Sequence, residues 1–147
     1  MNTILQTDEI YVLLLINDST LKKIDQIRVG ELTIVEVFDG SLVKLPKGFV
    51  TDFHSMPRQI QWILPAFNCR TNLAAVVHDY LYMHWEKYLQ SYPEKNQIKG
   101  RKFSDEVFLQ LMHQFSPKTK VENYVYYLGV RIFGLFNWKK FRNKHLT

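Results

Sequence analysis

A chain of 147 residues with 46% hydrophobic and 14% aromatic side chains can bury one core, which excludes a disordered polypeptide. A single cysteine, Cys69, excludes an internal disulfide framework, and the longest apolar runs, Tyr11–Ile16 and Tyr124–Val130, fall far short of the ~20 residues of a membrane-spanning helix. The net charge of +5 is unevenly placed: residues 118–147 hold seven Lys/Arg against one acid, Glu122, whereas the residues before them carry 12 bases and 13 acids.

That basic end offers a contact for an anionic surface, a nucleic acid or a protein, with a solvated tail as the plainer reading. No basic segment followed by an apolar run and a small-residue cleavage site is found, so no signal peptide is expected.

Residues 1–56 read as β-rich. Ile10–Ile16 is continuous, apolar and rich in β-branched residues, as in a strand buried on both faces, and Asn17-Asp18-Ser19 supplies turn chemistry after it. Gln26–Gly30 is a weaker strand candidate. Leu32–Phe38 is a better one, with Leu32, Ile34, Val35 and Val37 as apolar positions around Thr33 and Glu36. Asp39-Gly40 predicts a hairpin turn whose two central positions need φ > 0, and Leu42–Leu45 returns as the partner strand. Pro46-Lys47-Gly48 breaks the ladder before Phe49–Thr51 resumes an extended course, with Thr51–Pro57 leaving the sheet edge.

Residues 57–142 read as three to four helices. Pro57–Leu64 predicts a short helix opened by Pro57 and ended by Pro65. Thr71 or Asn72 caps a helix to about Trp85 or Tyr88, with Leu73, Val76, Val77, Leu81 and Trp85 on its apolar face. Tyr88–Gly100 reads as an exposed loop. Ser104 caps a helix from Asp105 to about Phe115, and Ser116-Pro117 opens a last helix whose stripe is Val121, Tyr124, Val125, Leu128, Ile132 and Leu135. The expected fold is α+β in one domain: a small antiparallel N-terminal sheet or half-barrel, a helical C-terminal half, and a short basic tail over 139–147.

Two stretches concentrate ionisable groups in apolar surroundings: Gly48-Phe49-Val50-Thr51-Asp52-Phe53-His54-Ser55-Met56-Pro57-Arg58 and His78-Asp79-Tyr80-Leu81-Tyr82. On a helix His78 and Tyr82 share a face, while Asp79 points about 100° away. An imidazole that follows Leu73–Val77 starts in dry surroundings, where burial lowers its pKa and a carboxylate raises it, as in a general base or metal ligand. His78, Asp79, Asp52 and Ser55 are therefore the catalytic candidates, with Thr51 and Tyr82 to orient a substrate. Asp52, His78 and Asp105 form the candidate ligand set for one divalent ion, for which imidazole favours zinc, manganese or iron over calcium.

Each has a plainer reading. His78 can be a core histidine with satisfied nitrogens, Asp52 and Ser55 can be turn and cap residues, and Asp105 can answer to a helix dipole alone. His54, His84, His113 and His145 are read as surface or packing residues, with His54 near enough to Asp52 to compete for a role. Gly-x-Ser-x-Gly, His-Glu-x-x-His, Cys-x-x-Cys and Gly-rich phosphate loops are all missing.

Taken together, Gly48-Phe49-Val50-Thr51-Asp52-Phe53-x-Ser55-Met56-Pro57, Ala74–Tyr82 with its His78-Asp79, and Asp105 resemble a family of small proteins widespread in tailed bacteriophages and prophages, a domain of unknown function. The resemblance runs from about Leu45 to Trp138 and includes an Arg131-x-Phe133-Gly134 ending; His54 and Ser104 depart from the usual small residue and Ala. It implies phage origin, with residence in the host cytoplasm or the virion, and no particular reaction. The His-Asp-Tyr helix also looks like that of secreted phospholipases A2, whose flanking cysteines and calcium loop are missing here. Two functions stay open: a hydrolase-like or metal-binding His/Asp site between sheet and helices, or a non-enzymatic virion component or host-factor binder. In the second, the cluster is a structural network and the aromatic, basic C-terminus makes the contact.

Overall fold

The computed structural model describes residues 27–30, 32–51 and 72–144. The chain divides into two compact units, one up to residue 53 and one from residue 54. The strand expected at Ile10–Ile16, the turn after it, the Pro57–Leu64 helix, and Asp52, His54, Ser55, Thr71 and His145 lie outside the described residues.

The first unit holds two antiparallel ladders, β1 (Ile27–Arg28) with β4 (Val50–Thr51) and β2 (Thr33–Glu36) with β3 (Leu42–Leu45). The register sets Thr33 opposite Leu45 and Val35 opposite Val43, all four buried, so one face of the hairpin supplies the core together with Val29, Val37 and Phe49. Of the apolar positions read in Leu32–Phe38, alternation turns Val35 and Val37 inward together with Thr33 and leaves Leu32 53% exposed.

The hairpin turn also differs by one position. The Gly40 amide donates to the Val37 carbonyl at 2.9 Å, so Phe38 and Asp39 are the central residues and Gly40 follows with φ 84°. Asp39 Oδ1 fastens it, accepting from the Ser41 amide at 3.0 Å and the Ser41 hydroxyl at 2.6 Å. At Pro46–Phe49 the Phe49 amide donates to the Pro46 carbonyl, and Gly48, at φ 86°, places its own amide on the Val29 carbonyl. The break expected there thus extends the β1–β4 ladder.

The second unit is helical: α1 (Asn72–Met83), α2 (Trp85–Ser91), a 3-10 turn (Pro93–Gln97), α3 (Gly100–Phe115), α4 (Lys120–Phe133) and α5 (Leu135–Lys144). α1 packs on α3 and α5, and α3 packs on α4. The single helix expected to about Trp85 or Tyr88 breaks at His84 (φ −130°, ψ 38°), which aims Trp85 and Tyr88 at Phe103 and Trp138 in an aromatic cluster. The loop expected over Tyr88–Gly100 holds the end of α2 and the 3-10 turn.

α3 begins four residues before the expected cap. Gly100 lies so close to the indoles that a Cβ there would sit 2.6 Å from Trp85 and 2.9 Å from Trp138. Ser104 is consequently inside the helix, its hydroxyl donating back to the Gly100 carbonyl at 2.8 Å. Asp105 is in the second turn, beyond the strong reach of the helix dipole that the plainer reading invoked.

In α4 the expected stripe is on the wrong face. Asn123, Tyr126, Gly129 and Val130 are buried, while Val121, Leu128 and Ile132 are 78%, 54% and 67% exposed. Asn123 is the reason. Buried at the α3–α4 turn, its amide nitrogen donates to the Ser116 carbonyl and to His113 Nδ1, both at 3.1 Å, and this fixes the helix phase against the hydrophobic periodicity.

Candidate functional site

Buried polar side chains of the second unit gather on Asp105, which is 0% exposed. His78 and Tyr82, one turn apart on α1, reach across to it from the facing helix: His78 Nε2 and Tyr82 Oη each lie 2.7 Å from Oδ1. Its other oxygen, Oδ2, accepts from Arg131 Nη1 of α4 at 2.8 Å, and Arg101 Nη1, one turn earlier on α3, stands 3.8 Å away. Three helices thus converge on one carboxylate.

Neighbouring contacts hold these groups. Arg101 donates to the Val130 and Arg131 carbonyls at 3.3 and 3.0 Å, locking α3 to the C-terminal turn of α4. The His78 ring packs between Tyr82 and Phe108, with centroids 4.3 and 4.8 Å away, and Tyr82 meets the edge of Trp138. Gly134 lets Tyr82 Oη pass: a Cβ there would be 2.7 Å from it and would collide with the Val130 carbonyl. Arg142 stacks over Trp138, pairs with Glu86 at 3.0 Å and donates to the Tyr82 carbonyl at the end of α1.

The electrostatics follow from burial. Tyr82 is pushed well above the usual phenol pKa, first by burial and then by the Asp105 charge and the hydrogen bond to it. It therefore stays protonated and donates. A carboxylate oxygen accepts, so the Nε2–H of His78 donates to Asp105 Oδ1 and Nδ1 is the ring nitrogen left for other contacts. Asp79 Oδ1 stands 4.0 Å from that Nδ1, and Asp79 is 3% exposed.

Of the residues singled out in sequence, His78, Asp79, Tyr82 and Asp105 are thus within one cluster. Thr51 is buried in β4 of the other unit, paired in register with Ile27. The proposed ligand set is only partly described: Asp52 lies outside it, and His78 Nε2 and Asp105 Oδ1 are bonded to one another. Among the described residues no group of three His, Cys, Asp or Glu side chains is arranged to hold a metal ion. The sequence reading missed the arginines as partners of Asp105. Arg101 is four before Asp105, a spacing that carries a signal only once the helix is known to begin at Gly100 and not at Asp105, and Arg131 appeared only within a terminal motif.

A family model described as "Protein of unknown function (DUF1353)" matches residues 28–130. It spans the β1–β4 unit from Arg28 and the helices through Val130, and so contains His78, Asp79, Tyr82 and Asp105. No curated protein and no solved structure matches the chain.

Proposed function

We propose the following function for this chain, which belongs to the DUF1353 family of proteins of unknown function: it is a phage-encoded protein whose His78 is a carboxylate-oriented imidazole serving a hydrolase-like or metal-binding site. The observation that carries this is the 2.7 Å bond from His78 Nε2 to Asp105, itself clamped by Arg131. A histidine that works as a base or ligand commonly gives its other N–H to a carboxylate, which fixes the tautomer and raises the basicity of the working nitrogen. Here that nitrogen is Nδ1. The phage attribution is what the resemblance of the Gly48–Pro57 and His78–Tyr82 motifs to a family of tailed-phage and prophage proteins implies.

The residues fit one divalent ion in this arrangement only if Asp105 orients rather than ligates. His78 Nδ1 and Asp79 Oδ1 are 4.0 Å apart, wider than the ~3.3 Å that two bonds of about 2 Å span at a tetrahedral ion, so a shared ion would have to draw the two side chains together. Zinc, manganese or iron suits that donor pair, and a bound ion would acidify water or polarise a substrate carbonyl. Without an ion, Nδ1 takes a proton from the attacking nucleophile while Asp105 stabilises the imidazolium that results.

Complete burial favours a second reading. With His78, Tyr82 and Asp105 all at or below 1% exposure and both Asp105 oxygens partnered, the cluster also suits a fold-fixing network in a virion component or host-factor binder. Metal titration of chelator-treated protein, with elemental analysis of the protein as purified, separates the two. The site reading expects one Zn²⁺, Mn²⁺ or Fe²⁺ per chain, with the uptake lost or strongly weakened in Asp79→Asn at nearly unchanged melting temperature. No specific ion uptake, together with a large stability loss in His78→Ala, would give the network reading the field.

A further inference from the structure

The α4 face opposite the core is apolar and uncovered by any described residue. Val121, Val125, Leu128, Ile132 and Leu135 follow one another at four, three, four and three positions. All five are exposed, from 37% at Val125 to 78% at Val121. A helix of 3.6 residues per turn gathers such positions into an arc of about 80°, the narrow seam of a coiled coil rather than the broad face of a membrane-surface helix. The junction to α5 keeps this line, because Gly134 is right-handed helical (φ −77°, ψ −11°).

Cations bracket the seam. Lys118 and Lys120 are exposed at its start, and Lys139 and Lys140 lie beyond its end. There Phe136, 75% exposed, joins Lys139, Lys140, Asn143 and Lys144 around an open groove of about 570 Å³. Glu122 is the single acid from residue 118 onward. A second copy laid antiparallel on α4 would set one basic end beside another, a like-charge opposition that disfavours self-pairing.

We infer that the α4–α5 face is a docking surface for an acidic amphipathic helix of another protein, whose apolar seam packs on Val121–Leu135 and whose flanking carboxylates meet the lysines. The apolar contacts supply the affinity and the lysines supply orientation and association rate. This inference does not depend on chemistry at His78.

The test uses the full chain and a fluorescent synthetic peptide of three heptads, with Leu and Ile at seam positions and Glu at the flanking ones. Its controls are the same seam flanked by Lys, and vesicles of anionic lipid. Saturable binding of the acidic peptide is expected, weakening as salt rises. It should fall at least about tenfold in Leu128→Glu, and by a smaller factor in the double variant Lys139→Glu/Lys140→Glu. Equal binding of both peptides, or of neither, would overturn the inference. So would a chain that is dimeric by light scattering and loses dimerisation in Leu128→Glu, or one that binds vesicles in preference to the peptide. A large drop in the melting temperature of Leu128→Glu would show the seam covered by the chain itself and would overturn it too.

Discussion

A carboxylate removed from water is tolerated when donors replace the lost hydration, and Asp105 has three within 2.8 Å. Replacing it with Asn keeps the shape but leaves the Arg131 guanidinium without its counter-charge. Asp105→Asn should therefore lose about 3–5 kcal/mol of unfolding free energy in urea titration. A loss below ~1 kcal/mol would mean that the arginine finds water instead. His113 is a second residue with a defined outcome. Its Nδ1 accepts from Asn123, and its pKa is lowered, first by burial and then by Lys120. The folded state thus disfavours protonation, so stability is complete above the ordinary histidine value of 6.5 and falls as pH drops through it. His113→Gln should flatten that part of the stability–pH curve.

At the scale of elements, the strands and helices were legible where one periodicity had no rival. β3 was read at its observed bounds, and α1 begins at Asn72, one of the two residues offered as its cap. Periodicity failed where a polar residue fixed the phase, as Asn123 does in α4, because hydrophobic pattern alone cannot distinguish a core stripe from an exposed seam. It also failed where close approach replaced capping, as at Gly100. Gly134 shows the same tension energetically. In a right-handed helical conformation, alanine should gain up to about 1 kcal/mol from propensity. The added Cβ would meet the Val130 carbonyl and stand 2.7 Å from Tyr82 Oη, and such overpacking costs typically 1–3 kcal/mol. Gly134→Ala should consequently lower the melting temperature and disturb Tyr82, seen as a changed near-UV tyrosine signal; a stabilised variant would show that the α4–α5 junction yields easily.

Across the whole molecule, most of the cationic excess lies apart from the buried cluster, with Arg131 of α4 the exception that reaches Asp105. The Asp105 cluster is internal to the helical unit, while the cationic excess and the apolar seam sit on α4 and α5. In the cluster, His78 and Tyr82 were legible as neighbours because spacing puts them on one face, whereas Asp105 was read as a metal ligand and not as the acceptor they share. The cationic half of the cluster was not legible, because Arg131 reaches Asp105 through tertiary packing across 26 positions of sequence. Nor could spacing tell which imidazole nitrogen would be committed; that follows from the placement of α1 against α3.

The account turns on that nitrogen. Long-range ¹H–¹⁵N correlation spectra of histidine-labelled protein at neutral pH should show His78 protonated at Nε2, with an unprotonated Nδ1. A spectrum with the proton on Nδ1 and a bare Nε2 would contradict the orientation by Asp105 and, with it, the proposed base or ligand.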